Sequence, residues 1–181
     1  TVLWAARVTP EHQDLFSEKA IFLGVKGGLQ VVGYTTLDVA GSNVSSQSSI
    51  RPMLGFAAEF IYDLPRFELD LFWNMRGAES GADTYHSVAL PLLVKIPWMV
   101  ANPFELEFGL GYQSDFILAG PESYRGYLSS ILFSLGTLID FDDLTFSFEV
   151  RYGLGLQDVS QRYSGGKTRD IQFLTGLLWL F

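Results

Sequence analysis

Eleven charged side chains in this 181-residue chain sit inside otherwise apolar stretches, and neighbours within a stretch are separated by even steps. They are Lys26; Arg51 and Glu59; Glu68, Asp70 and Arg76; Lys95; Glu105 and Glu107; and Glu149 and Arg151. Five cations against six carboxylates is a near balance, and the chemistry it suits is mutual pairing. A charge removed from water is costly unless an opposite charge and hydrogen bonds compensate it. A structural ion-pair network is therefore the first expectation for this set. A conducting path between the charges is the rival. Hydrolytic chemistry needs His, Ser and a carboxylate within mutual hydrogen-bond reach, and His86 and Ser87 are the residues to consider. Neighbours on a strand point to opposite faces, so the two cannot share one side, and His86 reads as a histidine at a rim. No phosphate-binding loop, Cys/His metal spacing or paired catalytic carboxylate motif occurs. Neither a cofactor nor a metal is expected.

The even spacing identifies the elements that must carry these charges. From Ile21 to Gly33, Ile21, Leu23, Val25, Leu29 and Val31 share one parity, while Gly24, Lys26, Gly28 and Gln30 share the other. Phe67, Leu69, Leu71, Trp73 and Met75 oppose Glu68, Asp70, Asn74 and Arg76. Phe104, Leu106, Phe108, Leu110 and Tyr112 oppose Glu105, Glu107, Gly109 and Gly111. The stretches 50–62 and 144–156 divide in the same way. Three further stretches, 85–96, 127–139 and 171–181, are compatible but carry apolar residues on both faces. Period-two alternation of this kind describes β-strands, and eight of them follow.

Alternation alone does not say which face is inside. Packing volume does. An eight-stranded barrel has room inside for side chains or one small ligand, and the aromatic-rich face would overfill it. Glycines and serines accompany the charges, and small residues make room for long Lys, Arg and Glu side chains in a crowded interior. A soluble barrel would also need a densely charged exterior, yet only 18% of the chain is charged and its mean hydropathy is positive. The apolar face is accordingly assigned to lipid, giving an all-β, eight-stranded antiparallel up-and-down transmembrane barrel. No stretch reads as a transmembrane helix, since the most apolar run, 88–101, contains Pro91, Lys95 and Pro97. Strands of about 10 to 13 residues, tilted by about 45°, span the hydrocarbon layer. Cysteine is absent and the net charge is −8, which argues against nucleic acid as a partner.

The connections alternate in length. Asp63 to Arg66, Pro97 to Pro103 and Asp140 to Asp143 are short, whereas Thr35 to Ser49, Gly77 to Thr84, Ser114 to Arg125 and Asp158 to Arg169 are mostly longer and polar. Outer-membrane barrels have short periplasmic turns and long outer loops, which would place both termini in the periplasm. Trp73, Tyr112, Tyr127 and Tyr152 then form an outer aromatic girdle, and Tyr62, Phe67, Trp98, Phe104, Trp179 and Phe181 an inner one. Thr35 to Ser49 reads as poorly structured. Ser114 to Arg125 carries Phe116, Ile117, Leu118 and Tyr124, which would cap the lumen, continue the hairpin beyond the membrane or meet a partner. Residues 1–19 are set apart from the barrel at 20–181, as a periplasmic tail or a short helix starting at Thr9-Pro10. The chain opens without a recognisable signal peptide and is read as a mature form.

Three stretches resemble the small eight-stranded outer-membrane β-barrel domain family of Gram-negative-type bacteria: Phe22 to Gln30, Val88 to Pro97, and Gly176-Leu-Leu-Trp-Leu-Phe181. The last is similar to the C-terminal signal read by the barrel-insertion machinery, with Gly176, Trp179 and Phe181 as its marks. Leu174 departs from the polar residue usual two positions before that Gly. The resemblance implies a fold, a location in the bacterial outer membrane, and as partners the insertion machinery during assembly and outer-membrane lipids. It implies no single activity. The expected function is a closed, charge-filled barrel with a structural or protein-interaction role. Any envelope partner would be met through the outer loops or the N-terminal segment. A narrow ion or small-solute channel is the alternative, and a lipid A-modifying enzyme the more distant one.

Overall fold

The computed structural model describes residues 20–34, 37–39, 42–44, 49–61, 65–76, 85–101, 103–119, 126–141, 144–158 and 167–181. Ten strands lie within them. They are β1 (Ala20–Tyr34), β2 (Leu37–Val39), β3 (Ser42–Val44), β4 (Ser49–Ile61), β5 (Arg66–Arg76), β6 (Tyr85–Ala101), β7 (Phe104–Ala119), β8 (Tyr127–Phe141), β9 (Leu144–Asp158) and β10 (Lys167–Leu180). All but β2 and β3 close into one antiparallel barrel in the order β1-β10-β9-β8-β7-β6-β5-β4. Each strand pairs with its predecessor in the barrel and β1 closes on β10, so no edge of the barrel sheet is left unpaired. The expected barrel class is what the chain forms.

Following hydrogen-bonded partners once around from Gln30, through Gln172, Arg151, Ser134, Gly109, Lys95, Arg66 and Ile61, returns to β1 at Ala20. That is ten residues below the start. With a rise of about 3.3 Å per residue and about 4.8 Å between strands, this stagger tilts the strands by about 40°. Residues far apart in sequence thereby reach one level of the lumen.

The parity read from the sequence holds around the wall. Ile50, Leu54 and Phe56 on β4, Leu69, Leu71 and Trp73 on β5, and Phe148, Val150 and Tyr152 on β9 are exposed outward. Lys26, Glu59, Glu68, Asp70, Lys95, Glu107, Glu149 and Arg151 are buried on the other face. The doubly apolar strands are explained by the lumen: Leu93, Leu128, Leu132, Leu174 and Leu178 are buried inside it. Small residues make space for the long ones. A Cβ at Gly176 would stand 2.7 Å from Lys26 Cγ and 2.6 Å from Ser147 Oγ, so glycine there admits the lysine stem. The β5–β6 ladder passes from Leu69–Leu92 to Phe72–Ala89, skipping Pro91, which has no N–H to give.

The expected connections need four corrections. Thr35 to Ser49 is not devoid of structure, because β2 and β3 pair within it and β4 begins at Ser49. Strand β6 runs through the proposed turn at Pro97 as far as Ala101. Ser114 to Ala119 is strand rather than loop: β7 continues against β8, and the Ile117 N–H donates to the Gly126 carbonyl at 3.0 Å. Strand β10 begins at Lys167, inside the stretch read as a loop. In each case polar or proline residues read as breakers, while pairing with a neighbouring strand outweighs local propensity. The tail at 1–19, the stretch 77–84 and Tyr62 lie outside the described residues.

Candidate functional site: the lumenal charge network

Glu68 on β5 is the hub of the lumen. Its carboxylate accepts from Lys26 Nζ at 2.5 Å, lies 2.7 Å from Lys95 Nζ, and accepts from the Arg151 guanidinium. Arg151 also reaches Asp70 and Glu149, each at 2.7 Å. Lys26 meets Glu149 at 3.3 Å, and Lys95 meets Glu107 at 3.2 Å and Glu149 at 3.5 Å. Glu59 is held more loosely, 3.6 Å from Lys26 and 3.8 Å from Lys95. These side chains come from β1, β4, β5, β6, β7 and β9, so the network ties together most of the wall. All are essentially inaccessible to solvent.

Toward the end that carries the short turns, Arg66 lies 2.8 Å from Glu105 and 2.9 Å from Glu107. Arg66 was not among the expected charges, because Asp63-Leu-Pro-Arg66 reads as a turn. The missed signal is parity, since Arg66 is two residues before Glu68 and four before Asp70. Arg51 lies higher, paired in register with Gln30, and is half-buried away from the hub. Arg76 ends β5, and its side chain is outside the described residues. Asp115 and Asp170 are further buried carboxylates; Asp115 fell in a stretch read as a loop, and Asp170 just before the last stretch read as a strand.

Gly28 marks the next level up, between Lys26 and Gln30. Its register partners are Met53 and Leu174, which with Phe72 and Ala89 form a buried apolar cluster. Phe72 is completely buried on the inward face, and the Arg151 guanidinium carbon lies 5.7 Å from its ring centroid. An apolar layer thus sits directly on the charged one, coupled to it by a cation–π contact. Above it the lining is amide-rich. Gln172 donates to Gln113 at 3.3 Å, and Gln113 donates to Asp115 at 2.8 Å.

His86 and Ser87 fall on opposite sides of the wall. His86 stacks on Trp73 outside the barrel, ring centroids 5.5 Å apart, while Ser87 is buried inside. Trp73, Tyr112 and Tyr152 are exposed toward the long-loop end, and Phe67, Trp98, Phe104, Trp179 and Phe181 toward the other. Gly176 faces the lumen against Lys26, whereas Trp179 and Phe181 point outward. No group of three or more metal-ligating side chains is assembled among the described residues.

Neither a protein-family model nor a curated protein sequence matches the chain. Solved structures do. Neisserial surface protein A superposes with a TM-score of 0.67 at 13% identity, over 91% of this chain and 100% of that one. The outer membrane protein OprG from Pseudomonas aeruginosa gives 0.58 at 14% identity, over 92% and 98%. The N-terminal β-barrel domain of Pseudomonas aeruginosa OprF gives 0.51 at 10%, over 91% and 100%. The chain has the eight-stranded up-and-down β-barrel fold of these outer-membrane proteins.

Proposed function

We propose that the protein spans the bacterial outer membrane as a barrel whose lumen does not conduct, and that it serves there as a structural or protein-interaction element. The filled cross-section carries this reading. The hub of Lys26, Glu68, Lys95, Glu149 and Arg151 spans the interior, and Met53, Phe72, Ala89 and Leu174 lie across it one level above. An ion crossing the barrel would have to break buried ion pairs and then pass an apolar layer, and both steps are costly.

The outward belt supports the membrane setting, because an apolar surface this continuous is unsuited to water. The alternation of short turns and long connections supports both termini lying in the periplasm. A hydrolytic role finds little support, since the barrel wall separates His86 from Ser87. Gly176, Trp179 and Phe181 are assigned to recognition by the barrel-insertion machinery. The long-loop end is the place to seek an envelope partner, and recovery of native complexes in mild detergent would identify one. Conductance is the direct test of the lumen. Purified protein in planar bilayers should give no steady openings, and reproducible ion-selective openings would overturn the closed-barrel reading in favour of a narrow channel.

A further inference from the structure

The outward face of the β7–β8 hairpin changes character twice along its length. Phe104, Phe108 and Leu110 on β7 form an apolar wall with Phe133 and Leu135 on β8. The wall is interrupted where Ser114 stands opposite Ser129. There the hydroxyls of Tyr112 and Tyr127 are hydrogen-bonded at 2.8 Å, and Ser114 Oγ lies 3.3 Å from the Tyr127 hydroxyl. At a tilt of about 40° each residue rises about 2.5 Å along the barrel axis, so Ser114 stands about 25 Å above Phe104. An outer-membrane barrel's apolar band is about 25 Å tall. The hydroxyl shelf therefore lies at headgroup level.

Above the shelf the surface turns apolar again. Phe116 is 43% exposed and Leu118 64%, and the Phe116 ring lies 5.5 Å from that of Tyr127. The hairpin is held from within, where Ile117 packs on buried Tyr85 and Leu128. A rigid surface thus offers three zones in sequence: a wall for acyl chains, an uncharged set of hydroxyls, and exposed ring faces.

We propose that this shelf binds the saccharide headgroup of an outer-leaflet glycolipid whose acyl chains lie along the β7–β8 wall. Tyrosine and serine hydroxyls both donate and accept, which matches sugar hydroxyls. Among the described residues the shelf carries no charge, so Tyr112, Ser114 and Tyr127 offer a phosphate no ion pair. The rings of Phe116 and Tyr127 present apolar faces to the C–H faces of a sugar, and the wall below continues without a break into the lipid-facing belt. The proposal rests on the outer-membrane reading and on the long-loop end facing outward.

The test uses the full chain in nanodiscs containing a neutral diglycosyl diacylglycerol and a phosphatidylethanolamine of the same acyl chains, with native mass spectrometry counting the lipids retained on release. The glycolipid should be retained about ten-fold in excess. The Tyr112→Phe/Tyr127→Phe double variant should lose about five-fold of that preference, two hydrogen-bonding hydroxyls at modest net value each, as should Phe116→Ala. Phe67→Leu, at the opposite rim, should retain it. Heat-modifiable gel mobility reports that each variant is folded. Equal retention of the two lipids, or an undiminished preference in the folded double variant, would overturn the shelf assignment. Full displacement by the free disaccharide at low concentration would overturn the role of the acyl chains. Failure of the wild-type protein to enter the nanodiscs would overturn the membrane reading itself.

Discussion

Glu68 and Glu59 face each other in register on β5 and β4, yet their environments differ enough to set their substitutions far apart. Replacing Glu68 with Gln removes the charge partner that Lys26, Lys95 and Arg151 hold at 2.5 Å, 2.7 Å and in direct contact. Removing one partner of a buried ion pair typically costs about 3–5 kcal/mol, because a charge is left uncompensated. Here each cation keeps another carboxylate: Glu149 for Lys26, Glu107 for Lys95, and Asp70 and Glu149 for Arg151. The lower end, about 3 kcal/mol, is the expected loss. Glu59 contacts its two cations only at 3.6 and 3.8 Å. Four cations, Lys26, Arg66, Lys95 and Arg151, face six carboxylates in the paired set, so removing the loosest negative charge brings the set closer to balance. Because both of its contacts are long and its loss moves the set toward balance, Glu59→Gln should cost no more than about 1 kcal/mol, the net value of an ordinary hydrogen bond. The difference of about 2 kcal/mol corresponds to roughly thirty-fold in the folded-to-unfolded ratio. Urea titrations of refolded protein in lipid vesicles, followed by tryptophan fluorescence and gel mobility, would measure both. A Glu59→Gln loss equal to or larger than that of Glu68→Gln would refute the hub assignment.

Phe56, 66% exposed near the middle of the outward belt, should tolerate arginine poorly, at about 2–4 kcal/mol in vesicle unfolding, while Phe104→Arg at the rim should cost about 0–1 kcal/mol; equal and negligible costs would contradict a lipid-facing belt. Phe72→Ala/Leu174→Ala should breach the apolar layer, lowering stability by at least about 3 kcal/mol and giving a leak in planar bilayers that wild type lacks; a folded, non-conducting double variant would mean the ion-pair hub alone is the barrier. The chain has no native cysteine, so a cysteine at exposed Gly126 should react with an impermeant thiol reagent on intact cells, and one at exposed Asp140 only after the outer membrane is permeabilised. The reverse pattern would invert the proposed topology.

The alternation displayed the wall of this barrel far better than its contents. Lys26, Glu59, Glu68, Glu107, Glu149 and Arg151 were identifiable as inward residues because a strand reports its faces two residues at a time. Their partners were not identifiable. Lys26 and Glu149 are 123 residues apart, and they meet only because a stagger of ten residues brings distant levels of different strands to one height. That stagger is a property of closure, set by all eight ladders together. No single strand carries it.

Boundaries failed for a related reason. Arg66 follows a proline and Ser114 introduces a polar stretch, so both look like the end of an element, yet each keeps the parity of the strand it joins. Extending parity through a suspected loop would have recovered Arg66 and Asp115, and extending it one residue back from Ile171 would have recovered Asp170. Phe72 is a different case. A phenylalanine between Asp70 and Asn74 contradicts the rule that small and charged residues hold the inward face, and nothing local explains it. The explanation lies across the lumen, where Arg151 from β9 lies near its ring and Met53 and Leu174 pack around it. The balance of inward charges suggested closure by ion pairing alone, whereas the barrel adds an apolar layer that the charge pattern did not announce. On the proposed closed-lumen reading, closure has two separable causes, electrostatic at the hub and steric above it, which is why the Glu68 and Phe72 substitutions are expected to fail in different assays.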